Sequence, residues 1–311
     1  MSQKYRLITR SDLDGIVCAS LLREAGVVGD EIKFAHPKDM QDGTLEVTPQ
    51  DIITNLPYHP KAHMVFDHHS SEALRNKEQP ANLVNDPAAP SAAHVVFRHL
   101  GGAAKFPNIS KDLMSAADKI DSAQLTKEEI LEPKDWVLLG FVMDNRTGLG
   151  RFRDFRISNY QLMMELVDIL RKHKSIKDIL QHPDVAERVK MYLEHSKLAR
   201  QQIMKCSSVH SNLVALDLRR EKEIYTTNRF TVYAMYPNTN ISMHVMPGKQ
   251  GVNTVFAVGK SVLNKSAKVD VGALMLEYGG GGHKAVGTCQ IDNAKADTVM
   301  KELIKRIVEA G

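Results

Sequence analysis

The chain has 311 residues, which is long for one ordinary domain and sufficient for two. Hydrophobic residues make up 43% and charged residues 25%, the balance of a globular protein, and no stretch approaches the roughly 18 apolar residues of a membrane span. The N-terminus lacks the apolar core of a secretory signal, and the three cysteines are far apart. We therefore expect a cytoplasmic protein without a disulfide framework, whose net charge of +4 suits anionic substrates such as phosphate esters.

The first part of the chain alternates strand and helix patterns. This alternation favours an α/β fold built on a parallel sheet. The predicted strands are Tyr5–Thr9, Ile32–Ala35, Asp51–Thr54 and Met64–Phe66, and the predicted helices are Ile16–Ala25, Ser91–Leu100, Lys111–Ala123, Asp135–Met143 and Ser158–Leu170.

A long polar, helix-favouring segment without glycine separates this part from the rest. We predict a first α/β domain over residues 1–183, a helical linker over 184–209 and a smaller α+β domain over 210–311. In the last domain, the pattern predicts strands at Leu213–Leu218, Phe230–Met235, Ile241–Met246, Val252–Val258 and Gly287–Ile291, and helices at Val271–Tyr278 and Lys295–Glu309.

Polar side chains follow each strand of the first sheet. They are Asp12 and Asp14 after the first strand, His36 and Asp39 after the second, Asn55 and His59 after the third, and Asp67-His68-His69 after the fourth. In an open parallel sheet, the carboxyl ends of the strands border the ligand crevice. Carboxylates that meet there repel one another unless a cation lies between them, and carboxylate with imidazole suits manganese, iron or zinc. The pattern predicts a metal site that acts on phosphate esters.

A run of four glycines, Gly279–Gly282, follows a predicted helix. Glycine lets the backbone adopt positive φ and approach a ligand closely, and exposed N–H groups can form an anion nest to which His283 and Lys284 add charge. A flexible turn is the alternative interpretation.

These motifs together resemble the DHH phosphoesterase superfamily, in the branch with a C-terminal DHH-associated domain. Asp12-Leu13-Asp14-Gly15 is similar to the first family motif, Asp67-His68-His69 to the signature, and the segment from Gly279 to Gly287 to the glycine-rich signature of the second domain. The resemblance covers nearly the whole chain.

The resemblance implies a two-metal site, usually for Mn²⁺, and a role for each matched residue. Asp12 and Asp14 would divide between the two metals, His68 would bind the second metal, His69 would contact the scissile phosphate and Asp67 would orient a histidine. Asp12 and Asp67 are thus predicted to be catalytic together with His69. A later acidic ligand is assigned to Asp121 by its spacing, with Asp118 and Asp144 as alternatives. Gly280, Gly281, Gly282 and His283, with Arg10 and Arg146, are predicted to bind the substrate.

The sequence departs from the family pattern at two positions. The histidine that often precedes the first aspartates is missing from Ile8-Thr9-Arg10-Ser11, and the bridging aspartate is replaced by Asn55. Asparagine is a neutral and weaker ligand, so the first metal loses charge. His36 is the first candidate to replace it, and Asp39, Asp42 and His59 are weaker candidates.

The predicted activity is hydrolysis of linear dinucleotides such as pGpG, or of very short RNA, to mononucleotides. The modest charge and the 6% aromatic content favour a short substrate over long nucleic acid. The alternatives are phosphomonoester or polyphosphate hydrolysis, and a nucleotide-binding protein with a degenerate site. The resemblance also suggests a homodimer.

Overall fold

A computed structural model describes residues 4–78 and 80–311. The chain forms two compact units. The first extends to Gln124 and resumes over Pro133–Met191, and the second contains Leu125–Glu132 and Tyr192–Gly311. In the described part of the chain, every helix is too short or too polar to span a membrane.

The first unit contains a five-stranded parallel sheet in the order β2-β1-β3-β4-β5. The strands are β1 Tyr5–Arg10, β2 Val28–Ala35, β3 Asp51–Thr54, β4 Met64–Asp67 and β5 Leu83–Asn85. All four residues of β3 are buried, as expected for a parallel sheet with helices on both faces. The fourth strand carries Asp67 at its carboxyl end, next to the end of β3, which in turn pairs with β1.

Short and long helices cover this sheet. They are α1 Leu13–Glu24, α2 Pro37–Gln41, α3 Ser70–Arg75, α4 Ala92–His99, α5 Gly102–Lys105, α6 Lys111–Asp121, α8 Asp135–Met143, α9 Asn159–Lys172 and α10 Ile176–Gln181. Helix α7, Lys127–Leu131, belongs to the second unit. Helix α11, Pro183–Cys206, continues from one unit into the other, and the division falls between Met191 and Tyr192.

The second unit contains a mixed six-stranded sheet in the order β10-β11-β9-β8-β7-β6. Its strands are β6 Ser207–His210, β7 Leu213–Asp217, β8 Ile241–Pro247, β9 Asn253–Lys260, β10 Gly281–His283 and β11 Val286–Asp292, and its other helices are α12 Thr231–Met235, α13 Val271–Glu277 and α14 Ala296–Ala310. Alternate residues of the central strands, such as Met243 and Phe256, form the core with α13 and α14. The predicted fold class, a parallel α/β unit followed by a smaller α+β unit, is confirmed.

One predicted strand is wrong. Phe230–Met235 is an apolar run that was expected to be extended, but Thr231–Met235 forms α12. The Asn228 side chain accepts a hydrogen bond from the Phe230 N–H at 3.0 Å, and the Asn228 carbonyl accepts one from Thr231. This local turn starts the helix, and periodicity alone does not separate a short buried strand from a short buried helix.

Candidate active site

The loop after β1 places two carboxylates at the start of α1. Asp12 is the N-cap of this helix and accepts a hydrogen bond from Gly15 N at 3.1 Å. A side chain at Gly15 would place its Cβ 2.0 Å from the Arg10 carbonyl oxygen, so only glycine fits there. Asp12 and Asp14 are 5% and 2% exposed. The Asp-x-Asp-Gly motif therefore holds two buried carboxylates on one tight turn.

Asp14 lies against the N-terminus of α4. Its Oδ1 accepts a hydrogen bond from Ala93 N at 2.7 Å, and its Oδ2 accepts one from Ala92 N at 3.1 Å. Burial raises the pKa of Asp14 well above its ordinary value, and the negative charge of Asp121 raises it further, against the opposing charge of His68. A cation bound here would relieve this penalty on the ionised carboxylate.

The ring of His68 is oriented by its backbone surroundings. Its Nδ1 lies 3.3 Å from the carbonyl oxygen of Ala89, which can only accept a hydrogen bond. Nδ1 therefore carries the proton, and the lone pair of the neutral ring is on Nε2, 2.8 Å from Asp121 Oδ2. Burial would lower the pKa of His68, but the hydrogen bond and charge of Asp121, with the charges of Asp14 and Asp67, raise it to about 9. A proton or a metal ion is thus strongly favoured between these two atoms.

Three of the predicted metal ligands come together. One donor atom from each of Asp14, His68 and Asp121 lies within 4.8 Å of the others. Two carboxylate oxygens and one imidazole nitrogen suit a divalent transition metal. The His68 ring has the second contact, to a backbone carbonyl, that usually orients a metal-binding histidine. These residues fit the metal that the sequence predicts.

Asn55 lies beside Asp12. It follows β3 with φ of 55°, a left-handed conformation that asparagine tolerates, and its Nδ2 donates to Asp12 Oδ1 at 3.2 Å. Asn55 Oδ1 and Asp12 Oδ2 are buried, and among the described residues neither oxygen accepts a hydrogen bond. The Asn55 oxygen and the Asp12 carboxylate fit a second cation, because a buried oxygen without a hydrogen bond is costly and a buried carboxylate favours a positive charge. Two guanidinium groups also approach Asp12 Oδ2, with Arg10 Nε at 3.1 Å and Arg146 at 3.9 Å.

The residues considered as replacements for the missing carboxylate each have a contact close to them in sequence. His36 is exposed and caps α2, with its Nδ1 accepting from Lys38 N at 3.2 Å, and the Asp39 side chain accepts from His36 N. The Asp42 carboxylate pairs with Lys38. His59 accepts from Lys61 N at 3.3 Å through its Nδ1.

His69 is paired with Asp67. The fully buried Asp67 accepts from His69 Nδ1 at 2.9 Å through Oδ1 and from the His69 backbone N–H at 3.1 Å through Oδ2. The side chain of His69 is one-third exposed. The carboxylate therefore fixes the ring and leaves the other nitrogen, Nε2, for a ligand.

The two alternative acidic residues have different surroundings. Asp118 accepts from Ser91 Oγ at 2.6 Å and lies 3.0 Å from His94 Nδ1. Asp144 accepts from Arg146 Nε at 2.7 Å and lines one small cavity with Asp12, Asp14 and Asp121. The negative charge of Asp144 helps to raise the pKa of Arg146, although burial opposes this. Asp121 is the one of the three whose carboxylate faces His68.

The glycine run forms part of the second unit. Gly279 and Gly282 have φ of 73° and 154°, and Gly281–His283 forms β10, which pairs with β11. The sequence predicted a nest or turn here and did not predict this edge strand, because glycine disfavours strands.

The contact between Asp14 and α4 was also missed from the sequence. Ser91 is the N-cap of α4, accepting from His94 N at 3.0 Å while it donates to Asp118. The signal was present, since serine precedes a helical pattern, but the sequence does not show which carboxylate meets the helix N-terminus.

Known structures resemble the whole chain. A pGpG-specific phosphodiesterase, PggH, from Vibrio cholerae is 52% identical, with a TM-score of 0.85, and the match covers 99% of this chain and 100% of that one. CDC45 from Entamoeba histolytica shares the fold at 9% identity, with a TM-score of 0.53 and coverage of 98% and 95%. RecJ from Thermus thermophilus, in complex with Mn²⁺, aligns at 15% identity and a TM-score of 0.49, covering 99% of this chain and 52% of that one, too weakly to bear on the site.

No protein-family model and no curated protein matches the sequence. The full-length match at 52% identity nevertheless agrees with the motifs at the strand ends. The buried Asp-x-Asp-Gly turn and the Asp-His-His segment both lie at the carboxyl edge of one parallel sheet. The chain belongs to the DHH phosphoesterase superfamily.

Proposed function

We propose that this protein is a metal-dependent phosphodiesterase that hydrolyses linear dinucleotides such as pGpG to mononucleotides. The observation that carries the proposal is the buried cluster of Asp14, His68 and Asp121, whose donor atoms can bind one cation. The 52% identity to a pGpG-specific phosphodiesterase over nearly the full length of both chains supports the substrate class.

The metal site follows from the donor atoms. Asp14, His68 and Asp121 would hold one divalent cation, and Asp12 with Asn55 would hold a second through Asp12 Oδ2 and Asn55 Oδ1. Manganese is our expectation for both, since the ligands mix carboxylate, amide and imidazole. When bound, divalent cations supply Lewis-acid charge to the phosphate and to the attacking water.

The chain's own residues orient and neutralise the substrate. His69, held by Asp67, would contact a phosphate oxygen through Nε2, and the guanidinium groups of Arg10 and Arg146 would balance phosphate charge near Asp12. In the reaction, a water oxygen bonds to phosphorus and loses a proton, the bond from phosphorus to the ribose O3′ breaks, and O3′ takes up a proton. Two 5′-mononucleotides result from a 5′-phosphorylated dinucleotide.

The direct test uses purified protein with Mn²⁺. It is incubated with linear dinucleotides, cyclic dinucleotides, adenosine bisphosphate and polyphosphate, while calorimetry counts the bound metal. We expect turnover of linear dinucleotides and two Mn²⁺ per chain. Failure to hydrolyse any of these compounds, with metal bound, would contradict the proposed enzyme activity. Hydrolysis of only the bisphosphate or polyphosphate would favour the alternative phosphatase activity. The cytoplasmic location and the homodimer stay predictions.

The variant His68→Ala tests the cluster. Loss of one of three ligands should lower kcat for pGpG at least a hundredfold and weaken Mn²⁺ binding, while circular dichroism stays unchanged. The matched control is His63→Ala. His63 is an exposed histidine that stacks on Tyr5 just before β4, at the opposite edge of the sheet. Full activity in His68→Ala would contradict the role of His68 as a metal ligand.

A further inference from the structure

A second cavity in the first unit, of about 220 Å³, lies outside the cluster of metal ligands. Its wall is mostly apolar and includes Phe34, Met143, Leu149, Tyr160 and Met163. Phe34 comes from β2 and Tyr160 from α9, so two elements that are distant in sequence build it. A mostly apolar wall with a few polar groups is the usual lining of a small-molecule site.

This cavity is next to the metal site. Asp144 lines both the apolar cavity and the small cavity that Asp12, Asp14 and Asp121 border. Ser11, which directly precedes Asp12, is also in the wall and donates to Met163 Sδ at 3.3 Å. When the phosphate of a substrate lies at Asp12, the nucleoside attached to that phosphate can therefore reach the apolar cavity.

The aromatic rings in the wall are held in place. The rings of Phe34 and Tyr160 meet edge to face, with centroids 5.7 Å apart at 81°. The Tyr160 hydroxyl donates to the Ile32 carbonyl at 2.8 Å, which fixes the ring although the residue is 52% exposed. A fixed and accessible aromatic ring offers a stacking surface for a nucleobase.

Two amide side chains give the cavity polar groups. Asn159 accepts from Arg188 Nε at 2.7 Å through its Oδ1, so its NH₂ group is oriented, and Nδ2 lies on the side of Gly150, another wall residue. Asn145 is exposed at the same wall. Amide groups suit the donor and acceptor edge of a purine.

We propose that this cavity binds a purine base of the dinucleotide, stacked on Tyr160, while the adjoining phosphate lies at Asp12. The proposal rests on the proposed function for the identity of the ligand, and it names the subsite that would make a dinucleotide a better substrate than a bare phosphate ester. Binding energy from the base would hold the scissile phosphate in place.

The test measures binding without requiring turnover. A 5′-phosphorylated dinucleotide containing 2-aminopurine, whose fluorescence falls when the base stacks, is titrated with the protein in Ca²⁺. Tyr160→Ala should weaken binding roughly fivefold to a hundredfold and abolish most of the quenching. Tyr160→Phe keeps the ring and should stay within about threefold of the wild type.

The matched control is Tyr5→Ala, a partly exposed tyrosine at the amino end of β1, which should bind like the wild type. A dinucleotide with one base removed tests the subsite from the ligand side. The wild type should bind it at least fivefold more weakly than the intact dinucleotide. Replacing Tyr160 by Ala should then weaken binding of this ligand little further. Unchanged affinity and quenching in Tyr160→Ala would overturn the proposal.

These outcomes separate the subsite from the proposed activity. If the wild type shows quenching that depends on Tyr160 but hydrolyses no dinucleotide, the base subsite stands and the proposed function fails. If it hydrolyses pGpG with equal KM in the wild type and Tyr160→Ala, the function stands and this subsite is wrong.

Discussion

At the scale of single residues, the position of Asp14 depends on a helix cap. Ser91 caps α4, donates to Asp118, and precedes the two N–H groups that bind Asp14. Asp118 also approaches His94 on the same helix. This network connects Asp118, one turn before Asp121 on α6, to the first turn of α4.

Replacing the cap should therefore affect the metal as well as the fold. Ser91→Ala should lower the free energy of unfolding by about 1 kcal/mol, as for other lost N-caps, and weaken Mn²⁺ binding severalfold because the first turn of α4 loosens around Asp14. The measurements are urea unfolding and calorimetric titration with Mn²⁺.

The comparison for this prediction is Ser110→Ala. Ser110 caps α6 through Leu113 N at 3.4 Å, so its loss should cost stability without a change in Mn²⁺ affinity. Equal Mn²⁺ affinity in Ser91→Ala and the wild type would show that the cap has no effect on the metal site.

The candidate site was partly predictable at this scale. Asp14 and His68 come from motifs at strand ends, and spacing indicated Asp121, which lies with them in the structure. The pairing of Asp67 with His69 follows from adjacency along the chain. The side chains around Asp12 were less predictable, because the approach of Arg146 depends on how α8 ends and not on any local pattern.

At the scale of elements, the sheet of the first unit was mostly predictable. Its central strands each contain a short buried apolar run, and strands of a parallel sheet are typically apolar because both faces are covered. The short edge strand Leu83–Asn85 and the helix Thr231–Met235 were not predicted correctly. Elements of three or five residues are too short to show a clear periodicity, so tertiary contacts decide whether they form a strand or a helix.

An ion pair links two of these strands. Arg6 on β1 and Asp51 on β3 are register partners, and the Arg6 guanidinium donates to both Asp51 oxygens at 2.6 and 2.8 Å. Burial would raise the pKa of Asp51, but the hydrogen bonds from Arg6 and Thr48 lower it below its ordinary 3.8. The stabilisation is therefore fully present above pH 3.8 and is lost as pH falls through the native pKa.

The variant Asp51→Asn tests this pair by its pH dependence. At pH 7 it should lower the free energy of unfolding by about 3 kcal/mol, because the Arg6 guanidinium loses its two short hydrogen bonds to a buried carboxylate. Below about pH 4, the difference from the wild type should shrink, since protonation removes the same charge. Urea unfolding between pH 3 and 7 measures this difference in free energy, and the variant Asp42→Asn, at an exposed position, is the control. A difference that stays constant with pH would contradict the assignment.

Alanine substitutions at Gly281 and Gly282 can distinguish a structural role of the glycine run from a role in binding the substrate. A Cβ at Gly282 would lie 2.3 Å from the Val286 carbonyl oxygen, whereas a Cβ at Gly281 meets no described atom within 4 Å. Gly282→Ala should therefore lower the melting temperature markedly. Gly281→Ala should leave it within about 2 °C and raise KM for pGpG severalfold if substrate approaches this backbone, as the sequence predicts. An unchanged KM in Gly281→Ala would argue against that role.

At the scale of the whole molecule, the sequence indicated two units and a helix between them. It did not predict that Leu125–Glu132 belongs with the second unit. Locally, this segment resembles any other short helix of the first half, with a Thr126–Glu129 capping box. Its assignment depends on distant partners, because Asn228 and Arg200 donate to the carbonyl oxygens of Ile130 and Leu131.

This crossing of the chain has a consequence during synthesis. Ile130 is 1% exposed in the finished protein, but its partner Asn228 leaves the ribosome about a hundred residues later. Translation proceeds at roughly 5 to 20 residues per second, so Ile130 is synthesised about 5 to 20 s before Asn228. Until translation passes these partners, Ile130 and Leu131, the two apolar residues of this otherwise charged helix, stay without Asn228 and Arg200.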